Sequence, residues 1–326
     1  MIDGFGRRIE YLRISVTDKC NLRCVYCMPL HGMEWLGKSA ILTYEEITQV
    51  VRTMAGMGLK RVRFTGGEPL VRKDLADLVR MVAAVPGIED LSLSTNAVLL
   101  EEQADALRGA GIGRVNISLD SLHPDRVDAI ARRPDSFRRI MAGLDAAERV
   151  GFKPIKINVV LIGGQNDDEI ADFAEITRER PWHIRFIELM PTGANLDLSQ
   201  GSFVSCQEAL RRVRKIGALE PATGPNGNGP ATYYRFPGAP GTVGVITPMS
   251  HNFCDRCNRM RLTADGQLRP CLFGEIQTNL RDAIRRGDDL VSLIEETLRI
   301  KPERHNLVQG SMAGSGGLVA LSQTGG

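Results

Sequence analysis

The sequence predicts an α/β fold, an incomplete (βα)6 TIM-like barrel over residues 1–217 followed by a small carboxyl-terminal domain over residues 218–326. Three observations predict it. Stretches rich in β-branched residues alternate with helix-like stretches six times, the order that builds a parallel sheet. The strand-like stretches carry a polar residue at every second position, unlike strands covered by helices on both faces. Beyond residue 217 the periodicity gives way to glycine and proline punctuation at 224–230 and 237–241, the mark of loops or a domain seam. A chain of 326 residues suits about two domains, or one large barrel with an appendage.

The first strand, 11–16, alternates Leu12 and Ile14 with Arg13 and Ser15. In the helix after it, Thr43 and Glu46 form a capping box, and Ile47, Val50, Val51 and Met54 recur at helical spacing, so one face is built to pack on a sheet. The remaining strands are 61–65, 90–95, 114–120, 155–162 and 183–189. Arg63 and Thr65, Asn116, Ser118 and Asp120, and Lys156 and Asn158 repeat the polar alternation. Six units are too few for a closed eight-stranded barrel, which leaves an incomplete barrel or an open doubly wound sheet. Four strands sharing a polar face cannot all be sheet edges, so the simplest account is a curved sheet whose inner face lines a polar lumen. A last barrel helix spans 205–216, and two more helical patterns lie near 279–286 and 289–300. The stretch 310–326 has no charged side chain and six glycines, by composition alone a flexible tail.

With 43% hydrophobic, 25% charged and 5% aromatic residues, disorder, collagen and coiled coil are excluded. Lys plus Arg (41) less Asp plus Glu (39) gives +2, which argues against non-specific binding of nucleic acid or an anionic membrane. The longest apolar run, near 157–162, falls far short of the roughly 20 residues of a spanning helix. Residues 1–10 lack the apolar core of a secretory signal. The protein is therefore expected in the cytoplasm, where disulfides are rare.

That makes the seven cysteines informative. Cys20, Cys24 and Cys27 fall within eight residues just after the first strand, where βα proteins place active sites. Three thiolates can hold a [4Fe-4S] cube and leave one iron open, whereas structural sites normally take four ligands. A zinc site borrowing a distant fourth ligand is the alternative. Cys254, Cys257 and Cys271 form a second triplet, again one ligand short; a zinc ribbon completed by His251 or Cys206 is its plainer reading. Cys206, ahead of an amphipathic helix, reads more simply as a small buried residue.

The run Cys20-Asn-Leu-Arg-Cys24-Val-Tyr-Cys27 resembles the signature of the radical S-adenosylmethionine enzymes, with Tyr26 before the third cysteine. Arg63-Phe-Thr-Gly-Gly-Glu-Pro69 resembles their glycine-rich motif, with Gly66, Gly67 and Glu68. The resemblance implies that the open iron is chelated by S-adenosylmethionine, which one electron cleaves to a hydrogen-abstracting radical. Two triplets in this order make the chain similar along nearly its whole length to the GTP 3′,8-cyclase family, lyases that open molybdenum cofactor biosynthesis. There the second [4Fe-4S] cluster receives the guanine of GTP.

A triphosphate of about four negative charges needs a local cationic pocket in so balanced a chain. Arg13, Arg63 and Lys156 are the inward strand positions, and Arg259 and Arg261, just behind Cys257, could close the pocket from the other domain. All five match positions at which the family binds GTP, as do Ser94 and the Met260 backbone; Arg259 and Arg261 are also assigned to catalysis with the first triplet. Tyr26, Gly67, Ser118 and Met190 correspond to S-adenosylmethionine contacts. The run Thr95-Asn96-Ala97 departs from the family's Thr-Asn-Gly ending. The family also inserts a Gly-Gly end into its active site, here Gly325 and Gly326. It further implies a homodimer, an unidentified electron donor, and hand-off of the product to the cyclic pyranopterin monophosphate synthase, with no nucleic-acid or membrane partner. Two rivals remain. One is a radical enzyme modifying a peptide through an auxiliary cluster, which needs an acidic or apolar groove. The other is a non-catalytic zinc or iron-sulfur protein that binds nucleic acid.

Overall fold

A computed structural model describes residues 1–191, 198, 201–225 and 229–305. The Gly325–Gly326 end lies outside the described residues. Six parallel strands form the centre of the sheet: β1 (Tyr11–Ser15), β2 (Arg61–Thr65), β3 (Asp90–Thr95), β4 (Arg114–Ser118), β5 (Ile155–Leu161) and β6 (Trp182–Glu188). They are adjacent in chain order. The helices between them are α1 (Tyr44–Gly56), α2 (Leu75–Ala83), α3 (Leu100–Ala110), α4 (Pro124–Ala131), α5 (Ser136–Arg149) and α6 (Ile170–Glu179), with α7 (Cys206–Val213) after β6.

The period-two alternation decides which way each strand faces. Leu12, Ile14, Val62, Phe64, Leu93, Val115, Ile117, Ile157, Ile184 and Phe186 are all buried in one core with the helices. α1 shows how: Thr43 accepts from the Glu46 N–H, Glu46 reaches back to the Thr43 N–H, and Ile47, Val50, Val51 and Met54 turn inward. The fourth strand ends two residues before its polar pattern does. The Asp120 carboxylate accepts the Val160 N–H at 2.9 Å, and the Asn166 side-chain amide donates to the Asp120 carbonyl at 2.7 Å. Side chains thus replace the ladder there.

Residues after 217 extend the same sheet at both edges. β9 (Thr242–Ile246) pairs parallel with β6, and β8 (Thr232–Arg235) and β7 (Glu220–Ala222) follow antiparallel. β10 (Arg259–Leu262) pairs parallel with β1, followed by β11 (Gln267–Arg269) and β12 (Thr278–Asn279). Arg259 and Arg261 thereby enter the same sheet as Arg13 and Arg63. They sit on the strand beside β1, because an edge strand's unpaired N–H and C=O groups are satisfied by the next strand. α8 (Leu280–Arg286) and α9 (Leu290–Arg299) pack against α1. No helix among the described residues is long and apolar enough to cross a membrane.

Candidate active site

The two cysteine triplets open on one cavity of about 310 Å³. They lie at opposite ends of it. Residues 20–27 follow the carboxyl end of β1, whereas Cys254 and Cys257 precede the amino end of β10, and the two strands run parallel with Tyr11 opposite Arg259. A five-residue strand separates the levels, on the order of 16 Å at the strand rise.

At the first end the loop is pinned from outside by α4: Arg23 N–H donates to Ala131 O at 2.9 Å and Val25 N–H to Ile130 O at 3.0 Å. From inside it rests on the turn after β2, where Gly67 N–H donates to Thr17 O and Glu68 N–H to Lys19 O, both at 2.8 Å. A Cβ at Gly66 would stand 2.5 Å from Thr17 O, and one at Gly67 2.4 Å from Lys19 O. Only glycine permits this backbone approach. Glu68 is fully buried and accepts from Thr95 Oγ1 (2.7 Å), Asn96 N–H (2.7 Å) and Leu70 N–H (3.0 Å). Burial pushes its carboxyl up to about 7 despite those donors. The Tyr26 hydroxyl donates to Asp120 at 2.8 Å, which fixes the ring on the cavity wall. Ala97 holds the turn beneath them at φ 61. This left-handed conformation costs a non-glycine residue roughly 1–2 kcal/mol, so the alanine keeps the turn at some strain.

Burial raises the Cys20 thiol to about 11, with the Glu68 carboxylate adding to the effect, and raises Cys24 well above the usual thiol range, aided by Asp120. Three thiols at one cavity mouth that interact with one another fit a multinuclear iron-sulfur cluster. Loading it requires loss of their protons. Cys206 donates to the carbonyls of Phe186 and Ile246 and does not line the cavity, and neither does His251.

Between the two ends the sheet register aligns the cations. Arg261, Arg13 and Arg63 are consecutive partners across β10, β1 and β2. Burial lowers Arg13 well below the usual arginine range, and Arg261 beside it adds to this; Arg63 and Arg261 fall to about 10 mainly through burial. Arg63 bonds the Ser92 hydroxyl at 3.2 Å and lies over the Tyr11 ring, and Arg259 lies over Phe253. These are neutral partners. The Tyr11 hydroxyl is buried without a hydrogen-bond partner among the described residues, a position that a ligand rich in acceptors would satisfy. Ser94 is held by the Asn116 amide at 3.1 Å.

Of the residues singled out in the sequence, the six triplet cysteines, Tyr26, Gly66, Gly67, Glu68, Ser94, Ser118, Met190, Arg13, Arg63, Arg259 and Arg261 all line the cavity. Lys156 and Met260 do not. Lys156 lies just beneath, beside Arg63 and Arg185, and the Met260 side chain turns into the core. Arg185 is a further cation on the wall that the motifs missed. It bonds Asn158 at 2.5 Å and stands opposite it in the register. The alternation of Trp182, Ile184 and Phe186 with His183 and Arg185 was the signal that could have found it.

The second triplet is enclosed by Arg7 and by residues 302–305. Arg7 donates to Cys254 O (2.8 Å), Glu303 O (2.7 Å) and Pro302 O (2.7 Å). The His305 backbone N–H bonds the Cys254 sulfur, and its ring meets Phe273 edge-on at 5.0 Å. Cys257 accepts from the Arg259 backbone and side chain; Arg259 and Lys301 bring its thiol down to about 7 against the opposing effect of burial. The second end of the cavity is thus electropositive where the first is not.

Comparison with known proteins agrees with this geometry. The Radical SAM superfamily model matches residues 14–176, and the Molybdenum Cofactor Synthesis C model matches residues 182–307. A GTP 3′,8-cyclase of Pelotomaculum thermopropionicum is 48% identical over 314 residues, 95% of this chain and 96% of that protein. One of Alkaliphilus oremlandii is 42% identical over 327 residues, all of both chains. Among solved structures, Streptococcus suis SuiB bound to S-adenosylmethionine superposes with a TM-score of 0.61 at 17% identity, covering 88% of this chain and 68% of that one. That likeness carries the fold alone. Relatives this similar over nearly the whole length place the chain in the GTP 3′,8-cyclase family of radical S-adenosylmethionine enzymes, which use S-adenosylmethionine and an iron-sulfur cluster in the first step of molybdenum cofactor biosynthesis.

Proposed function

We propose that this chain joins the ribose C3′ of GTP to guanine C8, giving 3′,8-cyclo-7,8-dihydro-GTP, and that each cysteine triplet holds a [4Fe-4S] cluster with one iron left open by the protein. One observation carries this reading: two three-thiol sites at opposite ends of a single lumen, with a row of buried arginines between them. S-adenosylmethionine on the first cluster, when bound, supplies the one-electron chemistry that removes the ribose hydrogen. The rest is positioning by this chain. Tyr26, Gly66, Gly67, Glu68, Ser118 and Met190 hold S-adenosylmethionine at the first end. Arg13, Arg63, Arg185 and Arg261, with Lys156 beneath, hold the triphosphate, and Ser94 contacts the nucleotide. Arg259 and the Met260 backbone border the base beside the second triplet. The enclosing barrel excludes water and fixes reacting atoms in place, which suits chemistry that depends on proximity. A guanidinium offers paired donors that match phosphate oxygens.

Anaerobic reconstitution followed by S-adenosylmethionine, reductant and GTP tests the substrate: 5′-deoxyadenosine should form at a rate that depends on GTP. Formation indifferent to GTP, but raised by a peptide, would establish the peptide-modifying rival instead. The homodimer, the electron donor and delivery of product to a cyclic pyranopterin monophosphate synthase belong to the same proposal.

The site predicts a pH dependence. Burial, with Arg185, Arg114 and Arg63 close by, pushes Lys156 down to about 6. At pH 7.5 it is therefore mostly neutral in the free protein, and a bound triphosphate raises its pKa again. GTP binding then takes up a proton, and affinity falls as pH rises from 6 toward 8 because a proton must be supplied. Calorimetry in two buffers of different ionisation enthalpy will show the uptake, and Lys156→Met will remove it. Equal heats for the unsubstituted protein in both buffers would contradict the assignment.

A further inference from the structure

The buried Lys301, just past α9, belongs to no motif and has entered so far only as a charge near Cys257. Its side chain is nearly inaccessible, 3% exposed. The ammonium donates to the Cys257 sulfur at 3.7 Å, to Arg259 O at 3.1 Å and to Pro270 O. These acceptors come from the two separate arms of the second triplet. Cys257 and Arg259 lie on the arm entering β10, and Pro270 directly precedes Cys271 on the arm leaving β11. Thirteen residues part Cys257 from Cys271; Lys301 spans the gap in space.

We infer that Lys301 is a positioning residue of the second cysteine site, clasping its two arms and setting a fixed positive charge against one ligating sulfur. The inference rests on the proposal that this triplet holds a cluster. An ammonium has three donors and no acceptor, and here all three are used. Its anchor is rigid, because α9 buries Leu290, Ile294 and Leu298 in the core. The same segment continues the enclosure: the His305 N–H reaches the Cys254 sulfur, and Arg304 pairs with Asp255 at 3.1 Å. A cation and N–H donors at cluster sulfurs favour the more negative, reduced state. Lys301 therefore raises the reduction potential of the second cluster.

The test uses the full-length chain with Cys20, Cys24 and Cys27 changed to Ala, so that any cluster signal belongs to the second triplet. In that background Lys301→Gln should retain iron and shift the midpoint negative by about 59 mV, a tenfold change in a one-electron equilibrium. An unchanged midpoint with iron retained overturns the role of Lys301 and leaves the two-cluster proposal standing. Absence of iron with Lys301 intact overturns the two-cluster proposal, and the inference falls with it. If the Gln chain takes up no iron, the parent background with ¹⁵N-lysine decides. Pulsed electron paramagnetic resonance of the reduced cluster should show a lysine nitrogen coupling, and its absence overturns the inference.

Discussion

Gly67→Ala should lower the iron held at the first triplet while leaving iron at the second triplet unchanged. The added methyl would stand 2.4 Å from Lys19 O and 2.5 Å from Asp18 O, and both contacts are backbone, which cannot rotate aside. Either the turn after β2 or the strand-to-cysteine segment must move, breaking the 2.8 Å bonds that join Gly67 to Thr17 and Glu68 to Lys19. Overpacking of this kind costs about 1–3 kcal/mol where relief is available, and here relief displaces Cys20 and the carboxylate of Glu68 together. S-adenosylmethionine affinity should fall by on the order of 100-fold, roughly 2.7 kcal/mol. The barrel core lies on the other face of the sheet, so the fold should survive. Iron analysis, circular dichroism and equilibrium binding of S-adenosylmethionine check this. Wild-type iron content with unchanged binding would refute the close-approach argument.

Arg261→Met should weaken GTP binding by about 10- to 100-fold, from the loss of a charge-assisted hydrogen bond worth about 1.5–3 kcal/mol, with both clusters retained. Arg261 is the better choice over Arg259, whose side chain also bonds the Cys257 sulfur and whose removal would mix nucleotide and cluster effects. A second sign accompanies the first. Arg261 is buried beside Arg13 and Arg259, and their like charges press on one another in the free protein. Removing one charge while keeping an unbranched side chain should hold or raise the thermal midpoint of the GTP-free protein while affinity falls. A lower midpoint with unchanged GTP affinity would make Arg261 structural and remove it from the clamp.

Much of the site could be read from residue order because its chemistry is local. Cys20, Cys24 and Cys27 lie within one loop, and Gly66 to Glu68 within one turn, so spacing alone carries the message. The polar alternation in β1, β2, β4 and β5 was enough to indicate a lined lumen. Arg185 was passed over because it belongs to no motif; it becomes part of the wall only when β6 is set beside β5 and Asn158. Lys301 was invisible for a stronger reason. A lone lysine after a helix is ordinarily solvated, and only folding brings it between Cys257 and Pro270.

The sequence by itself determined the thiol count, the glycine turn, the faces of the strands and the family, since each depends on neighbours in the chain or on a period of two or 3.6 residues. Only the tertiary structure decided that β10 lies against β1, so that Arg261, Arg13 and Arg63 form one row and the two triplets stand at opposite ends of the lumen. The physical reason is that parallel pairing between segments some 250 residues apart is chosen by which backbone edge remains unsatisfied once the barrel has formed, and no local pattern encodes that choice.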